Sequence, residues 1–586
     1  MNMKKIVYII YALLPFFISC EDQLDTKNLY QKDLDSFYSS PKDIDEAMNG
    51  VYSALYVDGV FSEEHCAANL LDDCMLGGGG PDDVNAKNVD DFKDPVEDTY
   101  KSLWVETYNG VYRANAIIEA VQSKDFSSYF KTKEETDEFL NNTLGEAYFM
   151  RGFLMYRAAR FFGGMPLIPT TKADRKVPRA SFQETFSFIA EDFLKAIEHL
   201  PRIKGTDLPL EDYGHANLWV AKAYLARTYL FYTGYMTNIE GTATNDIPLA
   251  EGSLTKDKVV KELEDVRDNS GYELTPDFRN LWPYAYVNEN AKNFDPKFDS
   301  QNPPLPWADK LGLKWVGQDG PKSTIGTGNK EVMFALRYGL ANWSIGQKYN
   351  NRIPLFFGIR GNSMVPFGEG WGWGTIHTAF YNSWADGDLR KEASVINLSK
   401  KSSDDGAANW QSSKGDQETG LVNRKYTTLQ HNGKRGKDEE SIKGMFYYLY
   451  NMVNGDPMQL WAAQDFYYLR FSDIYLMHSE LTETADGINK VRARVSLPPV
   501  AYSLDALKNE RKYEFAFEGL RWFDLVRWGD VAKADKNYYG TEIDVNNSGS
   551  TGKYKVTYRT ETKGLVTIPE SEVRLSNGVY TQNPGW

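Results

Sequence analysis

Cysteine is nearly absent from this chain: three among 586 residues, at positions 20, 66 and 74. With so few, a disulfide-stapled scaffold is excluded. On one helix Cys66 and Cys74 would lie about 12 Å apart, too far to bridge. A break before the glycines at 77–80 would let them meet, so two thiols or one disulfide both stand open. The six histidines, 65, 199, 215, 377, 431 and 478, include no His-x-x-x-His or His-Glu-x-x-His pair. Zinc hydrolysis therefore has no support, and no Gly-x-Ser-x-Gly elbow marks a serine nucleophile. A surplus of basic charge is missing too. Lys and Arg number 66 against 81 Asp and Glu, a net −15 that argues against nucleic acid, which is bound by neutralising phosphates. Beyond the N-terminus no apolar run reaches the roughly 18 residues of a transmembrane helix. The paired carboxylates of a glycosidase are a spatial matter that residue spacing leaves open.

The N-terminus carries an address. Lys4 and Lys5 precede an apolar run at 6–18, then Ser19 and Cys20. This is the layout of a secretory signal peptide over residues 1–19, and Cys20 stands where a bacterial lipoprotein is cut and lipidated. Phe17 and Ile18 occupy positions more often held by Leu and a small residue. Glu21 and Asp22 follow, either an export signal or a solvated linker. Acyl chains on Cys20 would hold the protein at a membrane, each buried methylene contributing about 0.8 kcal/mol.

Aromatic residues are what the chain has in excess, 14% of it, with 37 Tyr and 14 Trp. Rings offer an apolar face to a sugar's C–H surface, and they also fill the cores of helix pairs. Ala147, Met150, Leu154, Ala158 and Phe161 recur at steps of three and four. Leu218, Ala221, Leu225, Tyr229 and Tyr232 do the same, predicting closely paired helices in degenerate tetratricopeptide-like repeats. Ser181 with Glu184 forms a capping box for a helix ending near Leu200, and Lys101 to Gln122 reads as another. Thr255 caps a helix ending before Asn269, and Ser503 caps one through Glu518, broken by Gly519.

Residues 272–465 have another texture, rich in Gly, Pro, Asn, Ser and Trp and without long helical periodicity. Loops this long are usually functional. Trp282, Tyr284, Trp307 and Trp315, with Trp371 and Trp373 in a Gly-rich loop, are candidate stacking platforms for a glycan. The glycines at 77–80, flanked by Asp72, Asp73, Asp82 and Asp83, lack the Lys-Ser/Thr of a phosphate loop. They suit a flexible ligand loop with Asp72 and Asp73 accepting hydroxyl hydrogen bonds, a plain turn, or a calcium site without EF-hand spacing. No other cofactor is expected.

From Phe466 to Gly529 the charges fall into order. One predicted helix carries Arg470, Asp473 and Glu480, a second Arg492 and Arg494, and a third segment runs from Glu510 to Asp524. Glu510, Glu514 and Glu518 stand four apart, where unpaired like charges repel. With Arg492, Arg494, Arg511 and Arg521 nearby, a structural ion-pair network is the reading, against catalytic carboxylates. The stretch closely resembles the C-terminal hallmark of the SusD/RagB family. Residues 145–169, 181–201, 216–231, 329–339 and the ending Gln582-Asn583-Pro584-Gly585-Trp586 resemble further family segments in the family's order. The connection from Leu481 to Gly487 is shorter than the family's, and His478 stands where a small residue is usual.

The resemblance implies a mostly α protein (SusD-like): an N-terminal helical region at 20–271, an irregular Trp-rich insert at 272–465 and a C-terminal helical region at 466–586. It implies a lipoprotein on the extracellular face of the outer membrane, not an enzyme. Such a protein captures oligosaccharide or polysaccharide for a SusC-like TonB-dependent transporter. A peptide-capturing RagB-like role, a glycoside hydrolase, or a scaffold that chiefly binds the transporter are the alternatives.

Overall fold

The computed structural model describes residues 37–57, 64–93, 98–174, 176–339, 347–360, 365–368, 370–411, 415–427, 429–435, 439–450, 462–532 and 540–586. The leader expected at 1–19 and Cys20, Glu21 and Asp22 lie outside them. In chain order, α1 is Pro41–Tyr52, α2 Glu64–Leu71, β1 Met75–Gly78, α3 Lys101–Ser123, α4 Lys133–Phe162, α5 Phe182–His199, α6 Leu218–Asn238 and α7 Lys256–Asn269. Then come β2 (Val332–Leu336), β3 (Trp373–Ile376) and β4 (Phe466–Arg470). Last are α8 (Phe471–Thr482), α9 (Asp486–Arg494), α10 (Leu504–Glu514) and α11 (Arg521–Arg527).

Local sequence starts these helices. Ser40 with Asp43, Thr132 with Glu135 and Ser181 with Glu184 form reciprocal capping boxes, and Asn217, Thr255 and Ser503 cap α6, α7 and α10. Each cap contributes about 1 kcal/mol. The helices then pack in series: α1 on α3, α3 on α4, α4 on α5, α5 on α6, α6 on α7. Neighbours on both sides explain why residues 147–162 of α4 are buried on every face. Arg151 crosses that seam, its Nε and Nη2 bonding both oxygens of Asp192 on α5 at 2.8 and 2.6 Å. The series resumes across the insert, since α8 packs on α7 and α9 on α8. The scaffold is mostly helical, as expected, and the described residues of the insert carry only short helices and strand pairs.

The C-terminal charges are a buried network. β2 and β4 pair antiparallel, with Arg470 opposite Val332. Arg470, 1% exposed, bonds Glu331 at 2.7 Å, Glu514 at 2.8 Å and Glu518 at 2.8 Å. Arg494 bonds Glu331 at 2.6 Å and also Glu514. From the insert, Arg390 meets Glu510 at 2.6 Å and Lys425 meets Glu518 at 2.7 Å. Asp473 takes Arg227 of α6 at 2.7 Å and Arg511 of α10.

Two local expectations change. Arg470 ends a strand and precedes its helix instead of lying on it. The helix capped by Ser503 stops at Glu514, because Lys425 Nζ takes the carbonyl oxygens of Glu514 (3.3 Å) and Ala516 (2.9 Å), and Phe517 and Gly519 turn at positive φ. Glu518 still reaches the network from the turn. Cys66 and Cys74 are free buried thiols.

Removing one partner of a buried network strands the others. Arg470→Met is expected to destabilise the protein by about 3–5 kcal/mol, read as a lower urea midpoint at neutral pH. The network also sets the acid limb. Burial works to raise the Asp473 carboxyl, but Arg511 and Arg227 outweigh it and hold it at about 2. Glu514 is likewise held below the usual range by Arg494, Arg470 and Arg390 against burial. A depressed folded-state pKa gives stability that is complete above the unfolded value of about 4 and lost as pH falls toward 2. Unfolding midpoints measured down a pH series should drop across that window, and Asp473→Asn should make the drop shallower. An unchanged slope would remove Asp473 from this account.

Candidate ligand-binding site

The glycine run is packed, not a free loop. β1 pairs antiparallel with β3, Gly78 opposite Trp373, and residues 71–80 are all buried. Gly79 sits at φ +84°, where a Cβ would come within 2.5 Å of the Trp373 ring, and a Cβ on Gly80 would meet Arg360 at 2.2 Å. The glycines let another backbone and two large side chains close in. Asp73 is spent on Arg521, with both oxygens at 2.8 Å. Asp72 is fully buried; burial, then the neighbouring Asp73 charge, push its carboxyl well up. Both are buried rather than exposed acceptors. Asp72, Asp73 and Cys74 are the one cluster of metal-ligating types among the described residues. Its donor set suits calcium poorly, since Arg521 already neutralises Asp73 and burial pushes the Cys74 thiol up.

Most of the candidate rings also belong to the core. Trp282 is 0% exposed, 5.3 Å from the Tyr467 ring and 5.6 Å from Tyr426, with Lys425 Nζ 4.8 Å from its centroid. Tyr284 is buried edge-on to Trp307, and Trp315 is buried between Tyr286 and Phe446. Trp373 stacks on Phe356 at 4.9 Å, with half-buried Trp371 beside it. As exposed platforms, Trp282, Tyr284, Trp315 and Trp373 are therefore corrected to packing residues: their area is worth more against the scaffold than against water.

Trp307 is different. It lies on a short helix, Pro306–Lys310, half-buried at the edge of a cleft of about 350 Å³. Opposite it, the helices Thr378–Ser383 and Leu389–Ser394 supply Tyr381, Lys391 and Glu392, and the strand Val395–Asn397 supplies Asn397. Asp405 and Arg424 close the floor. Trp307 Nε1 donates to Glu392 at 3.3 Å, and the same carboxylate takes Arg279 at 3.0 Å. The Arg424 guanidinium lies 4.2 Å from the Trp307 centroid and bonds Asp405 at 2.7 Å. Lys391 Nζ lies 4.2 Å from the Tyr381 centroid. Asn397 Nδ2 donates to the Tyr381 hydroxyl at 3.4 Å, while Asn397 Oδ1 has no hydrogen-bond partner, nor do Nε and Nη1 of Arg424. These three atoms are themselves buried, with essentially no surface open to the cleft.

Each carboxylate in the cleft is committed to an arginine: Asp388 to Arg390 at 2.8 Å, Glu392 to Arg279, Asp405 to Arg424. Burial opposes the Arg390 charge, but Glu510, Asp388 and Glu514 hold it firmly protonated. The arrangement can orient hydroxyl and charged groups beside two rings. Of the sequence candidates only Trp307 lines it. Tyr381, Lys391, Asn397 and Arg424 carried no local signal, being spread over 43 positions of irregular chain.

A second groove, about 470 Å³, runs along the scaffold between α1, α4 and the segment before α6. Asp45, Glu138, Glu146, Asp212 and His215 line it, with no Trp or Tyr. Glu146 accepts from Tyr52 at 2.6 Å and lies 2.7 Å from His215 Nδ1. Burial disfavours the His215 cation, but the hydrogen bond and charge of Glu146 prevail and raise its pKa. The groove is acidic, and Phe139 and His215 are the rings that line it.

Comparison with known proteins agrees with this architecture. The model of the SusD family matches residues 353–586, and one described as "Starch-binding associating with outer membrane" matches residues 22–230. A SusD-like protein of Formosa agariphila is 23% identical over 90% of this chain and 91% of its own length. One of Bacteroides ovatus is 23% identical over 90% of this chain and 83% of its own. Among solved structures, a laminarin-binding SusD-like protein superposes with a TM-score of 0.66 at 21% identity, covering 94% of this chain and all of that one. Surface glycan-binding protein A from Bacteroides thetaiotaomicron, solved with laminarihexaose, gives 0.66 at 16% identity, covering 93% of this chain and all of that one.

The packed glycine run makes a prediction of its own. Gly79→Ala, which places a Cβ at positive φ against Trp373, is expected to cost about 2–4 kcal/mol, read as a lower urea midpoint with an unchanged slope. A variant as stable as the parent would mean that the run is loose.

Proposed function

Because the chain belongs to the SusD family, we propose that it is a cell-surface glycan-binding protein whose saccharide site is the Trp307–Tyr381 cleft. The observation that carries the reading is the cleft's composition: two partly exposed rings bordered by amide, carboxylate and cationic groups. Rings with convergent polar groups are what a sugar requires, an apolar face for its C–H bonds and partners for its hydroxyls. The laminarin-binding protein and the laminarihexaose complex of similar fold point the same way.

In this reading Cys20 carries the lipid that holds the protein on the outer face of the outer membrane. The bound oligosaccharide or polysaccharide is passed to a SusC-like TonB-dependent transporter. The step is capture, with no bond broken: the carboxylates of Asp388, Glu392 and Asp405 are each held by an arginine and orient a ligand.

Affinity electrophoresis against a panel of polysaccharides tests it. One polymer or more should retard the protein and release no reducing ends. Trp307→Ala should weaken retention about 5–10-fold, as expected for a stacked ring worth on the order of 1 kcal/mol beyond its burial. Retention that survives Trp307→Ala and Tyr381→Ala would place the glycan elsewhere. Retention by peptides alone would overturn the glycan reading.

A further inference from the structure

We propose that the acidic groove along the scaffold, between α1, α4 and the segment before α6, is a second ligand site. It takes alkylammonium groups, carried by a free polyamine or by lysine side chains, and shares no lining residue with the saccharide cleft.

The first observation is the sign of the charge. Asp45 on α1, Glu138 and Glu146 on α4, and Asp212 line the groove, and among the described residues no Lys or Arg does. Arg202 stands between two lining residues, Pro201 and Ile203, but it bonds Asp265 of α7 at 2.8 Å. Among the lining residues only His215 can supply a countercharge. Its Nδ1 lies 2.7 Å from Glu146, which also takes the Tyr52 hydroxyl at 2.6 Å. The excess shows at the carboxyls themselves. Burial, then the Glu146 charge, pushes Asp45 up. Burial also pushes Asp212 up, and His215 offsets only part of what burial, Glu146 and Glu211 add. Carboxyls that raise one another in this way are a surplus and not a set of pairs.

Spacing and lining describe the cation that fits. Glu138 and Glu146 are eight positions apart on one helix, about 12 Å. Among the described residues no three of the groove's carboxylates converge on one small ion. A bare metal ion is a poor match, and charge spread along a chain is a good one. Ile44, Met48, Phe139, Ile203 and Leu208 line the same groove, with Ile203 41% exposed. Alkyl stems lie along apolar surface of this kind while their ammonium heads stay among polar partners.

The third observation is Thr143 of α4, which lines the groove and is 6% exposed. Thr107, Thr136, Thr185 and Thr228 each give the hydroxyl to the carbonyl four residues back. The Thr143 hydroxyl makes no hydrogen bond among the described residues. A polar group so deeply set calls for a partner, and an ammonium N–H supplies one.

His215 makes the site sensitive to pH. Glu146, Asp212 and Asp45 face it, and Arg337, just past β2, opposes its charge. As an imidazolium it meets the groove's need for a cation; once deprotonated it leaves the carboxylates to the ligand. Affinity should therefore rise with pH above the ordinary imidazole value of about 6.5.

Titration calorimetry would compare spermidine and its fully acetylated form, a capped pentapeptide of three alanines between two lysines and its acetyl-lysine form, and magnesium chloride. One amine or both should bind at a single site, at least 10-fold tighter than the acetylated partner. Which of them binds names the source of the ammonium groups. The Asp45→Asn, Asp212→Asn double variant should weaken that binding about 10-fold without lowering the melting temperature. Affinity at pH 8.5 should exceed that at pH 6 at least 3-fold, and His215→Gln should flatten the difference. Binding untouched by the double variant would be adventitious pairing with an acidic surface and would overturn the site. Magnesium bound as tightly as the amines would overturn the alkylammonium ligand, and binding of neither amine would overturn both. The saccharide cleft is read separately through Trp307→Ala, so it stands or falls independently.

Discussion

The structure depends on one buried cation, Arg470. Its guanidinium takes carboxylates from three directions: Glu331 ahead of β2, Glu514 at the end of α10 and Glu518 in the turn that follows. Burying so much charge costs several kcal/mol per ion, and the cost is offset only where every lone pair and N–H finds a partner. The partners come from all parts of the chain. Arg227 on α6 reaches Asp473, Arg521 reaches Asp73 beside β1, and Arg390 and Lys425 come in from the insert. An alternative register of these segments would strand at least one charge. The network therefore acts as a specificity device, selecting one mutual arrangement of scaffold and insert.

What was legible in the sequence follows from range. The capping box at Ser181, the step-of-three-and-four faces of α4 and α6, and the alternation of Glu and Arg after Arg492 are encoded within a few residues and were formed as such. The break after Glu514 was not legible, because its cause, the Lys425 ammonium on two carbonyl oxygens, lies some ninety residues away. The rings failed for another reason. Trp282 and Trp307 read alike in sequence, each an aromatic in a polar, proline-containing segment. Only the fold decides that one meets Tyr426 and Tyr467 while the other borders a cleft. The glycines at 77–80 misled in the same way, since flexibility and close packing both demand the smallest residue.

Network and cleft share a wall. Asp388 caps the helix Leu389–Ser394, accepting from the Arg390 backbone N–H at 3.0 Å, and grips the Arg390 side chain as well. Arg390, 0% exposed, extends from there to Glu510 and Glu514. Lys391 and Glu392 follow it on the same helix and turn to the cleft. The helix that lines the cleft is thus anchored to fully buried charges. Side chains held before a ligand arrives lose less freedom when it binds, so an anchored wall favours affinity at a fixed contact area.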